Sequence, residues 1–369
     1  KIENKKSKYE ESLQESNKKL MLSEESMIDL SNKGFEAQES LNDLDDASLS
    51  STLGKLTFKD VITPYTEEII SQFNHLDKLK IVWDPGNGAI APIIHKIINS
   101  IKGTNIILNR SINGNFPNHH PDPTIKKNII QISNYIKEKQ FDLGIAFDGD
   151  GDRIGILDNK GKLIYSDIIF LLLSLDLLKE KKDLVAIADV KCSKILFDTL
   201  KNNGVDIHMS KTGHSLIKEM ISLKNADIAG EMSGHIFFKD RWFGFDDAIY
   251  AGSRMLEILS EKKKSSSDVF SELPQNLSTP EINISVSDEN KFLIISKLIK
   301  ILEKERGEIS SLDGIRIDKD SCWGLVRASN TSPNLVLRFE GNSPQDLEDI
   351  KNVFKKAISK VDNTIKTNF

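Results

Sequence analysis

The sequence has little cysteine and no long apolar run. Its 369 residues include only two cysteines, Cys192 and Cys322, which lie far apart without metal-ligand spacing. This pattern argues against a cysteine metal site and favours a reducing, cytoplasmic compartment. No apolar run reaches membrane-spanning length and no signal peptide is visible, so we expect no membrane partner.

Positive charge is not in excess either. The formal net charge is −5, which argues against a nucleic-acid partner. Hydrophobic residues make up 38% of the chain and charged residues 28%, as in ordinary soluble globular proteins. Length alone predicts about two to four domains.

What the sequence does contain is an acidic, glycine-rich loop. Asp148, Asp150 and Asp152 alternate with glycines between two apolar runs that are typical of strands. Such a loop can direct three carboxylates at one point, where their repulsion requires a cation, and an all-oxygen ligand set suits Mg²⁺. Arg153 beside them indicates a phosphorylated substrate.

Two other interpretations of this loop are a solvated acidic turn and a calcium loop. The spacing of the aspartates is that of the start of an EF-hand. The sixth position of an EF-hand loop is Gly and the twelfth is Glu, whereas this chain has Arg153 and Asn159 there. We therefore predict a magnesium loop.

Strand and helix patterns alternate along most of the chain, which predicts an α/β multidomain fold. Residues 60–164 and 165–277 are each predicted to form an α/β domain, and 278–369 a small C-terminal α+β domain. Residues 1–59 are polar and are predicted to be partly disordered. Smaller predictions are helix caps at Thr124 and Ser166, a helix at 22–30, and a solvated loop at 262–268.

A second polar motif, Glu231-Met-Ser-Gly-His235, combines a carboxylate, a hydroxyl and an imidazole. In an extended segment Glu231, Ser233 and His235 share one side. Such a set could hold sugar hydroxyls, each of which donates and accepts hydrogen bonds. A polar strand edge explains the motif equally well.

Other polar residues are less informative taken singly. Lys191 follows a strand and could face the same cleft as the acidic loop, but a solvated lysine is the simpler interpretation. His214, at the end of a glycine turn, is more readily structural than catalytic. His119 and His120 are adjacent in an extended loop and therefore diverge, so we predict structural roles for them.

A third polar motif lies between two predicted C-terminal strands. Its guanidinium, hydroxyls, amide and backbone N–H groups can clamp a phosphate, and it does not resemble a nucleotide-binding Walker loop. The residues of this clamp are Arg327, Ser329, Asn330 and Thr331.

Taken in order, these motifs resemble those of the α-D-phosphohexomutase superfamily, and within it the bacterial phosphomannomutase/phosphoglucomutase branch. The resemblance covers roughly residues 55 to 350, and so many motifs in one order make it specific. The matching segments are residues 84–88, 115–123, 148–153, 189–193, 211–215, 231–235 and 327–331.

The resemblance implies four domains around a cleft, three of them related α/β domains with mixed sheets. It implies an isomerase, an intramolecular phosphotransferase that moves phosphate between O1 and O6 of mannose or glucose through a hexose 1,6-bisphosphate. By resemblance, Arg153, Lys191 and His214 are catalytic. The Glu231–His235 motif would hold the sugar and the Arg327–Thr331 motif its phosphate. The three loop aspartates would bind Mg²⁺.

The chain departs from the family at the nucleophile. The family's first domain carries a phosphoserine in a Ser-His-Asn loop, and no Ser-His-Asn occurs in this sequence. Ser7, Ser12 and Ser16 lie near its expected place in unlike surroundings. We therefore expect residues 1–59 to be a remnant of that domain and the chain to be incomplete. The alternative is an inactive sugar-phosphate-binding protein, or half of a split enzyme with a separate first-domain chain.

Overall fold

A computed structural model describes residues 57–72, 79–367 and 369 of the chain. The described residues form three β-sheets and ten helices, and the part of the chain from Ile62 to Phe369 is one compact unit. The expected helix at 22–30 and the serines at 7, 12 and 16 fall outside the described residues.

The first sheet has five strands in the order β2-β1-β3-β4-β5. Strands β2, β1 and β3 are parallel, whereas β3-β4 and β4-β5 pair antiparallel. The sheet is therefore mixed. Its strands and neighbouring helices are α1 Ile62–Gln72, β1 Leu79–Asp84, α2 Ala91–Ile98, β2 Gly103–Ile107, α3 Ile130–Lys139, β3 Leu143–Phe147, β4 Ile154–Asp158 and β5 Leu163–Ile164.

The second sheet repeats this arrangement with four strands in the order β7-β6-β8-β9. Strands β7, β6 and β8 are parallel, and β8-β9 form an antiparallel hairpin, like β3-β4 in the first sheet. The elements are α4 Ser166–Glu180, β6 Val185–Asp189, α5 Lys194–Asn202, β7 Asp206–Ser210, α6 His214–Lys224, β8 Ile228–Gly230, β9 Ile236–Phe238, α7 Ala248–Lys262 and α8 Ser266–Ser271.

The third sheet is antiparallel and has two helices. Its path is β10-β15-β14-β13-β12, and β11 also pairs with β15. The elements are β10 Leu277–Ser278, β11 Ile282–Ser285, α9 Asp288–Leu302, β12 Glu308–Ser310, β13 Ile315–Asp318, β14 Cys322–Ala328, β15 Asn334–Gly341 and α10 Pro344–Val361.

The two α/β sheets share one hydrophobic core. Helix α4 contacts β4 of the first sheet and β8 of the second, and α7 contacts β4 and β9. Helix α4 is apolar on nearly all sides, as a helix buried between two layers must be. The third sheet has a separate core with α9 and α10. The shared core holds the two α/β sheets in one arrangement.

Both predicted helix caps are wrong. Asp122 accepts hydrogen bonds from the N–H and hydroxyl of Thr124, so this segment forms a side-chain turn, and the helix begins only at Ile130. Ser166 is the first helical residue, and extended Tyr165 occupies the cap position without a side-chain bond. Local polar residues signal a turn or a helix start, but they do not distinguish the two.

The expected solvated loop at 262–268 is also wrong. Its last residues begin helix α8, and Ser266 is buried. The Ser266 hydroxyl donates to the carbonyl of Asp142 at 2.6 Å and accepts from the N–H of Asn159 at 2.8 Å. The polar sequence here therefore satisfies buried backbone groups of the first sheet rather than facing water.

Candidate active site

The acidic loop connects the antiparallel strands β3 and β4. Asp148, Asp150 and Asp152 each offer a carboxylate oxygen, and these oxygens lie within 4.8 Å of one another. Asp148 is buried and Asp150 is exposed. The predicted convergence of the three carboxylates is therefore present in the structure.

Asp148 is held by its own loop. Its Oδ1 accepts from the N–H of Gly151 at 3.0 Å and of Arg153 at 3.1 Å, and its Oδ2 accepts from Arg153 Nε at 2.7 Å. Gly151 has a φ of +85°, and a Cβ there would lie 2.2 Å from the side chain of Ile90. The loop thus requires glycine at this position.

The second polar motif does not lie in an extended segment. It is the turn of the β8-β9 hairpin, closed by a hydrogen bond from Gly234 N to Glu231 O at 3.1 Å. The expected side-by-side arrangement is wrong, because the turn itself brings the groups together. His235 Nδ1 lies 2.8 Å from Ser233 Oγ and 3.1 Å from Glu231 Oε2.

The two hairpin loops meet. Ile154 N donates to Gly234 O at 3.1 Å, and His235 Nε2 lies 3.4 Å from Asp152 Oδ1. Since β3-β4 and β8-β9 occupy the same place in their sheets, the motifs come from equivalent positions of two related layers. A Cβ on Gly234 would lie 2.9 Å from the carbonyl oxygen of Ile154, so this contact also depends on glycine.

Where the two hairpin loops meet, the positively charged His235 lies between the carboxylates of Asp152 and Glu231. Burial lowers the pKa of His235, but Asp152 and Glu231 outweigh burial and raise the pKa to about 10. Burial raises the pKa of Asp152, yet hydrogen bonding to His235 outweighs it and lowers the pKa to about 2. Burial raises the pKa of Asp148 to about 6, against the opposing effect of Arg153. At neutral pH the imidazole is therefore a cation between carboxylates.

Lys191 lies in a segment that begins with the last residue of β6 and covers residues 189–193, which we call the Lys191 loop. Its side chain is 10% exposed, and its Nζ lies 3.3 Å from Glu281 Oε2 of the C-terminal region. Asp189 of the same loop is buried and accepts from the N–H of Met232 at 3.2 Å. The Lys191 loop therefore contacts the Glu231–His235 turn.

His214 is the first residue of helix α6. Its ring lies 6.0 Å from the ring of His235, and its Nδ1 lies 3.6 Å from Asp246 Oδ2. Gly213 before it donates its N–H to Glu231 Oε1 at 2.7 Å. Sequence reasoning missed Asp246, although two consecutive acids just before a helix were a visible signal.

The predicted phosphate clamp occupies the end of β14 and the turn between β14 and β15. Ser329 Oγ accepts from the N–H of Thr331 at 3.3 Å and of Ser332 at 3.1 Å. Arg327 is buried, its Nε donates to Asp313 Oδ2 at 2.9 Å, and its buried Nη2 has no hydrogen-bond partner among the described residues. An unsatisfied buried donor of this kind calls for an acceptor such as an ion or a water molecule.

Asp313, which sequence reasoning missed, connects this clamp to the second sheet. The same Oδ2 that accepts from Arg327 also accepts from the N–H of Thr212 at 3.1 Å. Thr212 lies between Lys211 and the Gly213-His214 turn, and Lys211 is exposed. The only local signal was that Asp313 precedes Gly314 in a turn, which does not indicate its partner.

Comparison with known proteins divides the chain into three segments that correspond to the three sheets. Residues 63–161, 165–277 and 281–357 match the descriptions "Phosphoglucomutase/phosphomannomutase, alpha/beta/alpha domain II", "alpha/beta/alpha domain III" and "C-terminal domain". The phosphomannomutase/phosphoglucomutase of Pseudomonas aeruginosa is 43% identical over 321 residues, which are 87% of this chain and 69% of the relative. This chain belongs to the phosphoglucomutase/phosphomannomutase family.

Two further relatives support the same family membership. The phosphoglucomutase of Neisseria meningitidis serogroup A is 41% identical over 314 residues, covering 85% of this chain and 68% of the relative. A crystal structure of a phosphoglucomutase/phosphomannomutase family protein from Burkholderia thailandensis has a TM-score of 0.80 and 36% identity, covering 90% of this chain and 71% of that one. The predicted family and α/β multidomain fold are confirmed.

The family is one of isomerases that transfer phosphoryl groups within sugar phosphates, and it is generally Mg²⁺-dependent. Among the residues that the structure describes, no helix is long and apolar enough to cross a membrane.

His119 lies beside the site in a turn that it stabilises. Its Nε2 lies 2.9 Å from Asp84 Oδ2, and its Nδ1 lies 2.9 Å from the carbonyl oxygen of His120. Asp84 also accepts from Gly86 N at 2.9 Å. The hydrogen bond to Asp84 is the main effect that raises the pKa of His119. These contacts fit the structural role predicted for this residue.

We expect His119→Gln to destabilise the protein more in mild acid than in mild alkali. Because the folded-state pKa of His119 is raised, the His119–Asp84 pair stabilises the fold fully below the unfolded-state pKa of about 6.5. This stabilisation is lost as pH rises through the folded-state pKa. Denaturant unfolding at pH 6 and pH 8.5 measures this difference. His95→Gln, an exposed histidine of α2, is the control. Equal losses at both pH values for His119→Gln would contradict the assignment.

Proposed function

We propose that this chain binds mannose and glucose phosphates at the site of a phosphohexomutase, an enzyme that interconverts the 1-phosphate and the 6-phosphate through a hexose 1,6-bisphosphate. One observation carries the proposal. Loops from all three sheets form a continuous set of polar contacts, from Asp152 through His235 and Glu231 to the 212–213 turn, and on through Asp313 to Arg327. The names of the relatives support the choice of sugars.

The acidic loop fits Mg²⁺. Its three carboxylate oxygens lie within 4.8 Å of one another, and an all-oxygen donor set on a tight loop suits this ion. Asp148, Asp150 and Asp152 would hold it, and the bound ion would neutralise charge on a phosphoryl oxygen. Arg153 lies against Asp148, where its guanidinium can meet the same phosphoryl group.

The remaining residues divide between sugar and phosphate. We assign Glu231, Ser233 and His235 to the sugar hydroxyls, because they combine acceptors and donors at one turn. Lys191 and His214 would face the reacting end of the sugar. The clamp would hold the phosphate that is not being transferred, through Arg327, Ser329, Asn330 and Thr331.

In the reaction, a phosphorylated group, a phosphoserine in the family that the motifs resemble, gives its phosphoryl to the free hydroxyl of a hexose monophosphate, and the proton of that hydroxyl passes to the oxygen that the phosphoryl has left. The second phosphoryl of the resulting bisphosphate then transfers to that same oxygen, whose proton passes to the sugar oxygen that is released. The chain's own residues position the hydroxyl and stabilise the charge of the moving group. The sugar must turn over between the two steps, which requires hydroxyl contacts that serve both orientations.

We propose the following division of the chain, supported by the residues that the family descriptions match and by the three sheets. A magnesium-binding α/β domain would comprise residues 60–164, a sugar-binding α/β domain 165–277, and a phosphate-binding α+β domain 278–369. Residues 1–59 would be the remainder.

Asp150→Asn should remove most Mg²⁺ binding, measured by titration calorimetry on the purified chain. The substitution removes the exposed carboxylate of the cluster while leaving Asp148 and its contacts with Arg153 in place. Asp198→Asn, an exposed carboxylate paired with Lys194 on α5, is the control and should bind like the parent. Unchanged affinity in Asp150→Asn would exclude this metal site.

The clamp and the sugar turn should be separable by ligand. Arg327→Ala should weaken binding of mannose 6-phosphate, glucose 1-phosphate and inorganic phosphate, since a charge-assisted contact is worth about 1.5–3 kcal/mol. Glu231→Gln should weaken the two sugar phosphates and leave inorganic phosphate unaffected. Circular dichroism checks that each variant is folded. The clamp assignment is wrong if folded Arg327→Ala binds sugar phosphates as the parent does.

Turnover tests the alternative of an inactive sugar-phosphate-binding protein, which rests on the absence of a Ser-His-Asn sequence from these residues. A mutase needs a group that holds the phosphoryl between its two steps, and the carboxylates are better suited as metal ligands. We expect these 369 residues alone to bind hexose phosphates but to interconvert them very slowly, even with added hexose 1,6-bisphosphate. A coupled mutase assay measures this. Rapid turnover, with a phosphorylated residue mapped within 1–59 by mass spectrometry, would contradict the expectation.

A further inference from the structure

Two arginines of the third sheet reach across to the Lys191 loop. Arg316 on β13 is 0% exposed and Arg338 on β15 is 2% exposed. Arg316 Nη1 donates to the carbonyl oxygens of Val190 at 2.7 Å and Cys192 at 2.6 Å. Arg338 Nη1 donates to the carbonyl oxygen of Lys191 at 2.5 Å. Three consecutive carbonyl groups of the loop therefore accept hydrogen bonds from the C-terminal sheet.

A carboxylate on the same strand orients each guanidinium by accepting hydrogen bonds from it. Arg316 donates from Nε and Nη2 to the two oxygens of Asp318 at 2.8 and 2.9 Å, and its guanidinium carbon lies 4.0 Å from the ring centre of Trp323. Arg338 Nη2 donates to Glu340 Oε1 at 2.9 Å. This forked, stacked geometry is one that arginine provides and lysine does not.

The residue that ends the loop is held by the same group of charges. Ser193 N donates to Asp167 Oδ2 at 3.1 Å, and Ser193 Oγ donates to Glu340 Oε2 at 2.5 Å. Arg338 Nη1 also donates to Asp167 Oδ2 at 3.0 Å. The loop is thus fixed along its length by donors and acceptors that are buried, where an unpaired partner would be costly.

These bonds determine the backbone conformation of Lys191 itself. The carbonyls of Val190 and Lys191 belong to the two peptide planes that flank the Cα of Lys191. Because a peptide unit is planar, fixing both carbonyls fixes φ and ψ at that Cα. The direction in which the lysine side chain leaves the backbone follows from those two angles.

We infer that Arg316 and Arg338 are positioning residues for Lys191. They set the direction of its side chain, so that packing of the C-terminal sheet against the second sheet also places the lysine for the sugar phosphate. This inference rests on the proposed function only in giving Lys191 a sugar-phosphate ligand. The conformational part stands on the hydrogen bonds alone.

The test is a double-mutant cycle on the full chain, with mannose 6-phosphate affinity measured by calorimetry. Lysine cannot bond the Asp318 carboxylate and the two loop carbonyl groups at the same time. Arg316→Lys should therefore weaken mannose 6-phosphate binding about tenfold in the parent and cause no further loss of affinity in a Lys191→Met background. Arg338→Lys should have the same effect on affinity, and it replaces Arg316→Lys in the cycle if Arg316→Lys does not fold. Arg254→Lys is the matched control, because Arg254 is 2% exposed and pairs with Asp240 and Glu257 instead.

Hydrogen exchange gives a second, ligand-free readout. Amides of the Lys191 loop should exchange faster in Arg316→Lys and Arg338→Lys, whereas those of β14 and β15 should not change. Equal losses of affinity with and without Lys191 would indicate a general structural effect and overturn the inference, as would unchanged loop exchange. If the parent does not bind mannose 6-phosphate, the proposed function is wrong, and the exchange measurement still decides whether the arginines hold the loop.

Discussion

A single imidazole between two carboxylates joins the parts of this site. His235 lies 3.4 Å from Asp152 and 3.1 Å from Glu231, so its positive charge offsets repulsion between an aspartate of the acidic loop and a glutamate of the β8-β9 turn. The backbone bond from Ile154 to Gly234 holds the two loops at that separation. Without this contact, Asp152 would face the buried carboxylate of Glu231 with no cation between them, which is unfavourable at low effective dielectric.

The arrangement follows from two sheets in which four strands have the same order, β2-β1-β3-β4 in the first and β7-β6-β8-β9 in the second. Each ends in an antiparallel hairpin after its third parallel-paired strand, and a shared core around α4 and α7 places the two hairpins in contact. The C-terminal sheet contributes differently. It holds the second sheet's loops through Asp313 and through the paired arginines Arg316 and Arg338, whose charge-assisted bonds lie beside a small apolar cluster of Val190, Trp323 and Leu325.

Predictions from local sequence succeeded where one short segment determines its own geometry. The acidic loop between two strands is such a case, since alternating glycines allow Asp148, Asp150 and Asp152 to converge. Predictions failed where a local signal has two outcomes. Thr124 takes part in a side-chain turn rather than a cap, and Ser266 is buried, where its hydroxyl bonds the backbone of Asp142 and Asn159 next to β3 and β4. In such places, contacts with residues that are distant in the sequence decide which local structure forms.

The sequence alone determined the family, the alternation of strands and helices through most of the chain, and which residue types carry the chemistry, because motifs and periodicity are local properties of the chain. The tertiary structure decided which of these residues meet. The turn at Glu231–His235, the contact of His235 with Asp152, and the partners of Arg327 and Lys191 all join residues that are far apart in the chain or depend on a hairpin closing. Such pairings arise from packing between layers, and no single segment encodes them.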